Sequence, residues 1–156
     1  MIKFLDEKGD DINFEILTID LIESIYQIDK ECFEVYDLNW DRKSIQDTVL
    51  DKNCCTYLQL IGEEIVGVIN ATSKYDHIRI DSIAVKPDYR KNGIGTRLLQ
   101  KIVEETKALK LKRIELHVWV DNQTAINLYT KLGFQQIDLE EDYYSVGDAY
   151  VMELNL

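Results

Sequence analysis

Apolar residues recur along this 156-residue chain at two spacings, and the switches between them mark out the elements. Residues 12–17 read as a short strand. From Asp20 the spacing turns helical, with Leu21, Ile25, Ile28, Cys32 and Phe33 falling on one face. A polar, aromatic loop over 34–40 leads to a second helix near 41–50. Apolar strands at 56–61 and 65–71 flank Gly62-Glu63-Glu64, which predicts a tight hairpin. Residues 78–85 alternate as a third strand, ended by Pro87, which has no N–H to give to a ladder. An amphipathic helix follows, its stripe formed by Ile94, Leu98, Leu99, Ile102, Val103 and Leu109. Residues 113–120 alternate cleanly: Ile114, Leu116, Val118 and Val120 face one way, Glu115, His117 and Trp119 the other. Asp121 or Asn122 caps a short helix that buries Ala125, Ile126, Tyr129 and Leu132 and is closed by Gly133. Strands near 134–139 and 149–154 end the chain.

Antiparallel strands first and a strand–helix–strand–helix–strand run later predict an α/β (mixed α+β) fold. We expect one domain over 1–156, a central mixed sheet of about seven strands with helices on both faces. The length suits one hydrophobic core and is short for two. Composition agrees: 46% hydrophobic and 30% charged residues is a globular balance. No apolar run approaches the roughly 18 residues that span a bilayer. The N-terminal MIKFLDEKGDD carries acids where a signal peptide has its apolar stretch, so a cytoplasmic location is expected, with no membrane partner.

The three cysteines fit that setting. Cys54 and Cys55 are neighbours, poor geometry for an ordinary disulfide, and Cys32 is left over. With only His77 and His117 beside them, no spacing resembles a metal site. Cys54 and Cys55 lead into an apolar strand and read as packing residues more readily than as nucleophiles.

The net charge of −11 is unevenly spread. Between Lys86 and Arg113 stand nine basic residues and three acids, about +6, while the remainder is about −17. A nucleic-acid binder needs a broad basic surface, which this chain lacks. The pattern suits a small polyanion held locally and a cationic acceptor drawn to the acidic remainder. A lysine-rich helix face serving only solvation would look the same by charge alone.

The basic segment contains Arg90-Lys91-Asn92-Gly93-Ile94-Gly95, lying between a strand and an amphipathic helix. Glycines let backbone approach a ligand, and the N–H groups opening a helix point outward with the positive end of its dipole. This is a phosphate cradle, or else a plain glycine turn. It is not a Walker loop, because no Gly-Lys-Ser/Thr follows, and Leu98 stands where the dinucleotide fingerprint needs its third glycine.

The string IDSIAVKPDYRKNGIGTRLLQKIVE resembles the acetyl-CoA-binding core motif of the GNAT acetyltransferase superfamily, and LHVWVDNQTAINLYTKLGF resembles its second motif. The likeness covers roughly 60–156. Within the superfamily, the second string followed by EEDYYSVGDAYVMEL resembles the enzymes that acetylate protein N-termini, including the ribosomal-protein-alanine type. About 1–55 match loosely, the part that usually shapes the acceptor site, and about 56–156 would be the cofactor core.

The resemblance implies residue roles. The backbone of Ile83, Ala84 and Val85 would place the pantetheine arm and thioester. The N–H groups of Arg90, Lys91, Asn92, Gly93, Ile94 and Gly95, with Thr96, would take the pyrophosphate, and Asn122 would contact the pantetheine. Tyr129 would protonate the departing thiolate; unassisted by the resemblance it is a core aromatic. His117 would be the general base, as histidine accepts a proton near neutral pH, or a sheet histidine satisfied by a neighbour. Many relatives carry a glutamate base where Arg79 stands here, and Asp81, two residues on, could substitute through a water. Tyr143 and Tyr144 match a paired-tyrosine element at the substrate N-terminus. By position alone, Phe33, Val35 and Tyr36 would line the acceptor.

Three functions remain open: acetyl-CoA-dependent transfer to a peptide or protein α-amino group, transfer to a small cationic amine, and acyl-CoA binding without turnover. The oligomer would be a monomer or homodimer.

Overall fold

The computed structural model describes residues 1–36, 38 and 40–156. Of the expected loop over 34–40, Asp37 and Asn39 lie outside the described residues. In chain order the elements are β1 (Ile2–Leu5), β2 (Asp11–Ile12), α1 (Thr18–Phe33), α2 (Arg42–Leu50), β3 (Cys54–Ile61), β4 (Glu64–Ser73), β5 (Ile78–Val85), α3 (Ile94–Ala108), β6 (Arg113–Trp119), α4 (Gln123–Lys131), β7 (Gln135–Tyr144) and β8 (Gly147–Asn155). The strands form one mixed sheet of eight, ordered β2-β1-β3-β4-β5-β6-β8-β7.

Two apolar clusters lie on the two faces of this sheet. Leu98, Leu99 and Ile102 of α3 and Tyr129 of α4 pack with Ile78, Ile80, Ile114, Leu116 and Val118. Leu21, Ile25 and Ile28 of α1 and Ile45 and Val49 of α2 pack with Leu58, Val68 and Ala84 on the other face. Helices thus cover both faces because each strand at the centre buries alternate residues in opposite directions.

Several expectations need correction. The strand read over 12–17 is only the two-residue β2; beyond it Phe14 turns onto Phe4, ring centroids 5.2 Å apart. The eighth strand is β1, whose IKFL was not read as a strand and which pairs in parallel with β3 from Ile2/Thr56 to Leu5/Gln59. A four-residue edge segment has too few positions to show a period. α1 begins at Thr18 without a side-chain cap, two residues before the helical spacing suggests. Leu109, expected in the α3 stripe, caps that helix at 49% exposure.

The alternation in β5 also hides a shift. Asn70 of β4 pairs with Ser82 but Ala71 pairs with Ile80, which leaves Asp81 as an unpaired extra residue, a β-bulge. The consequence is a change of phase. Ile78 and Ile80 face the α3 cluster before the bulge; Ile83 and Val85 face it afterwards, and Ala84 turns to the α1 side.

Candidate active site

β5 and β6 are neighbours but barely paired. Their parallel ladder consists of Ile78/Ile114, Arg79/Glu115 and Ile80/Leu116, and no pair follows among the described residues. The strands part where the bulge at Asp81 begins, so the end of β5 faces a gap with one backbone edge unladdered. An extended polar ligand can hydrogen-bond such an edge as a strand would.

Below the gap the chain runs into the basic loop. Lys91 and Gly93 both take the left-handed backbone, at φ 63° and 77°, a conformation glycine adopts without strain. Gly93 opens α3, and no side chain caps that helix start, so its first N–H groups are left to solvent or a ligand. Gly95 allows α4 close: a Cβ there would lie 3.1 Å from Leu128 Cδ2. Not every cation here is free. Lys86 Nζ donates to Glu64 Oε1 at 2.6 Å, and Tyr89 donates to the other carboxylate oxygen at 2.8 Å. Arg97 Nη1 donates to the Asn92 carbonyl at 3.1 Å and thereby shapes the loop. Arg90 Nε donates to the Val85 carbonyl at 2.9 Å. Lys91 has no ion-pair partner among the described residues. An uncapped helix start, two left-handed positions and an open strand edge fit a pyrophosphate carried on a pantetheine arm.

Above the gap, on the α2 face, lies a cavity of about 430 Å³. Asp81, His117, Tyr143 and Tyr144 line it, four of the residues singled out in the sequence, together with Trp40, Asp47, Asp51, Thr72 and Arg79. His117 projects from β6 opposite to the buried Leu116 and Val118. Its ring stacks on Tyr143 at 4.2 Å with the planes 10° apart, and Tyr144 donates to the His117 carbonyl at 3.3 Å. Asp81 is largely committed: Arg79 Nε donates to Oδ1 at 2.8 Å and the Thr72 hydroxyl donates to Oδ2.

Tyr129 sits on the opposite face, 5% exposed, its ring 5.7 Å from Phe134. Burial pushes its phenol well above the ordinary range, and the nearby Tyr144 phenol adds to the rise, so Tyr129 keeps its proton at neutral pH. Asn122 is confirmed as the α4 cap, its Oδ1 accepting from Ala125 N–H at 3.2 Å. Phe33, Val35 and Tyr36 do not line the cavity. Phe33 ends α1, Val35 is 81% exposed, and Tyr36 packs on Trp119 at 5.1 Å. Trp40 supplies that wall instead, held by its N–H donating to Asp29 Oδ2 at 2.6 Å. Sequence reasoning also missed Thr72 and Glu140, and named Arg79 only as a departure from the family's pattern. Trp40 at least lay in the aromatic loop; Glu140 has no periodic signal, because β7 is exposed along nearly its whole length and bulged.

All three cysteines are free and buried. Burial pushes their thiols up, that of Cys55 to about 12, which makes them poor nucleophiles. Among the described residues no helix is long and apolar enough to cross a membrane.

A split between parallel strands, a basic cradle beneath it and an aromatic, acidic cavity above together form the candidate site. The chain belongs to the acetyltransferase (GNAT) family, whose model matches residues 22–134; acetyl-CoA is that family's donor. A Bacillus subtilis protein provisionally named ribosomal-protein-bS18-alanine N-acetyltransferase is 29% identical over 134 residues, 84% of this chain and 87% of that protein. An N-alpha-acetyltransferase of Sulfurisphaera tokodaii is 47% identical over 73 residues, 46% of this chain and 44% of that enzyme. The crystal structure of the ribosomal-protein-S18-alanine N-acetyltransferase from Escherichia coli shares the fold with a TM-score of 0.80, at 23% identity over 91% of each chain.

Proposed function

We propose that this enzyme transfers the acetyl group of acetyl-CoA to the α-amino group of a protein or peptide, by direct attack in a ternary complex. One observation carries the reading: the sheet that parts between β5 and β6 has Tyr129 buried on one face and the His117 cavity on the other. An acyl group lying in the split would have a proton donor on its thiol side and a proton acceptor on its amine side. The acetyl thioester, when bound, supplies the electrophile. The N–H groups at the start of α3 and the loop before it hold the pyrophosphate, and the open edge of Ile83, Ala84 and Val85 aligns the arm. His117 takes the proton of the attacking amine, and Tyr129 gives one to the departing sulfur. Tyr143, Tyr144 and Trp40 enclose the acceptor's first residue. Asp81, ion-paired with Arg79 and bonded to Thr72, fixes those side chains in the cavity wall.

The names of the relatives, an N-alpha-acetyltransferase and ribosomal-protein-alanine acetyltransferases, support a protein N-terminus as acceptor. Three free, unbridged cysteines suit a reducing, cytoplasmic setting.

The test is release of CoA thiol from acetyl-CoA against peptides with free N-termini, polyamines, aminoglycosides and free amino acids, with wild type and Tyr129→Phe side by side. Turnover on peptides, acetyl located on the α-nitrogen, and a loss of about 10²-fold in kcat for Tyr129→Phe are expected. Turnover confined to a small amine, or a Tyr129→Phe variant at wild-type rate, would overturn the acceptor or the acid respectively.

A further inference from the structure

A proton acceptor works only if one ring nitrogen carries a lone pair aimed at the substrate, so what holds the other nitrogen matters. The His117 side chain is 14% exposed. Its Nε2 is wholly enclosed and has no aligned hydrogen bond among the described residues. Glu140 Oε1 nevertheless lies 3.2 Å from it, within ion-pair reach but off the line of the ring N–H. The stacked Tyr143 ring closes one side of the imidazole.

Glu140 reaches this nitrogen across an intervening strand. It pairs with Ala149 on β8, and Ala149 pairs with Trp119 on β6, two residues from His117. Paired residues share a face of the sheet, and alanine has only a methyl group to obstruct the path. The other carboxylates around the cavity are engaged. Asp81 is bonded to Arg79 and Thr72, and Asp47 to Lys43. Asp51 accepts from the Asn53 N–H, and Glu115 lies 3.9 Å from Arg113. Glu140 has no other ion-pair partner among the described residues.

We infer that Glu140 is a positioning residue for His117: it holds the ring with its proton on Nε2, so that Nδ1 is the atom that takes the proton from the attacking amine. The inference rests on the proposed role of His117 as base. In the step, the amine nitrogen gives a proton to Nδ1 and forms the N–C bond, the C–S bond breaks, and the sulfur takes the phenol proton of Tyr129. The imidazolium that forms faces the Glu140 carboxylate, and a fixed anion there stabilises it. Exchange with water then returns a proton to Tyr129 and removes one from His117.

The experiment uses nitrogen NMR of the imidazole rings in the free protein, which has two histidines, with His77→Gln to assign them. The wild-type signal at neutral to alkaline pH should show the His117 proton on Nε2. Glu140→Ala should show a mixture of the two neutral forms. In parallel, Glu140→Ala should lower kcat about tenfold or more with little change in KM for acetyl-CoA, and Glu140→Gln, which keeps an acceptor atom in place, should recover part of the loss. An unchanged ring signal in Glu140→Ala, or a loss confined to KM for acetyl-CoA, overturns the inference. Full turnover in His117→Ala overturns the base assignment itself, and with it any catalytic use of Glu140, whatever the ring signals show.

Discussion

At the scale of single residues, Asp29 shows how the Trp40 wall of the cavity is held. It is 4% exposed on α1, accepts the Trp40 N–H, and burial raises its carboxyl to about 6, that hydrogen bond offsetting only part of the rise. A carboxyl raised in the folded state stabilises the fold most below its unfolded value, and that contribution is lost as pH rises through about 6. Above that pH the charge costs up to about 3 kcal/mol, on the order expected for a two-unit shift. Asp29→Asn should therefore melt higher than wild type at pH 8, with the advantage shrinking on the way down to pH 5. Thermal melts at the two pH values check this, and an equal difference at both would show that Asp29 is ionised in the fold across that range, its carboxyl not raised. His117 presents the reverse situation: its position in a clean alternation told which face it takes, while nothing in the sequence told what meets its buried nitrogen.

At the scale of elements, the packing of α3 on β4 depends on Gly67. A Cβ at that position would lie 2.9 Å from Ile94 Cγ2 and 3.2 Å from Leu98 Cδ1. Gly67→Ala should cost about 1–3 kcal/mol by overpacking and, because Ile94 is the first residue of α3, raise KM for acetyl-CoA. Gly62→Ala is the contrasting case. Gly62 has φ 60° with nothing within 4 Å of the added carbon, so it should lose stability to backbone strain, about 1 kcal/mol, and leave KM alone. Melts and kinetics on the pair separate the two effects; equal KM values would show that the helix start tolerates displacement. Most elements from β3 onward were legible because each keeps one period for seven or more residues. β5 was legible in extent but not in phase: the bulged residue at Asp81 moves the α3-facing positions from even to odd numbers, so that Ile78, Ile80, Ile83 and Val85 share one face. β1 and β2 were too short to carry a period, and β7 carries almost no buried side to reveal one.

At the scale of the whole molecule, charge separates into a basic cradle and an acidic remainder, within a net −11. A cationic peptide should therefore be drawn to the acceptor side by long-range attraction that salt screens, with a Debye length of about 10 Å at 0.1 M. KM for a lysine-rich peptide should rise several-fold between about 0.05 and 0.5 M salt, where ion screening steepens, while KM for a neutral peptide of the same length rises less. Equal salt dependence for both peptides would place the recognition in short-range contacts alone.

The three rungs that join β5 to β6 have a mechanical meaning as well. The sheet is two plates, β1–β5 and β6–β8, whose backbones are laddered at one end of the seam only, with α3 and α4 packed beneath both. A donor whose polar arm bonds the open edge of β5 while its phosphates engage α3 completes that seam on one side, and an acceptor seated between Trp40 and Tyr143 braces it on the other. On the proposed function, a loaded enzyme would have both sides of that seam bridged by its ligands, with the reaction running along the joint.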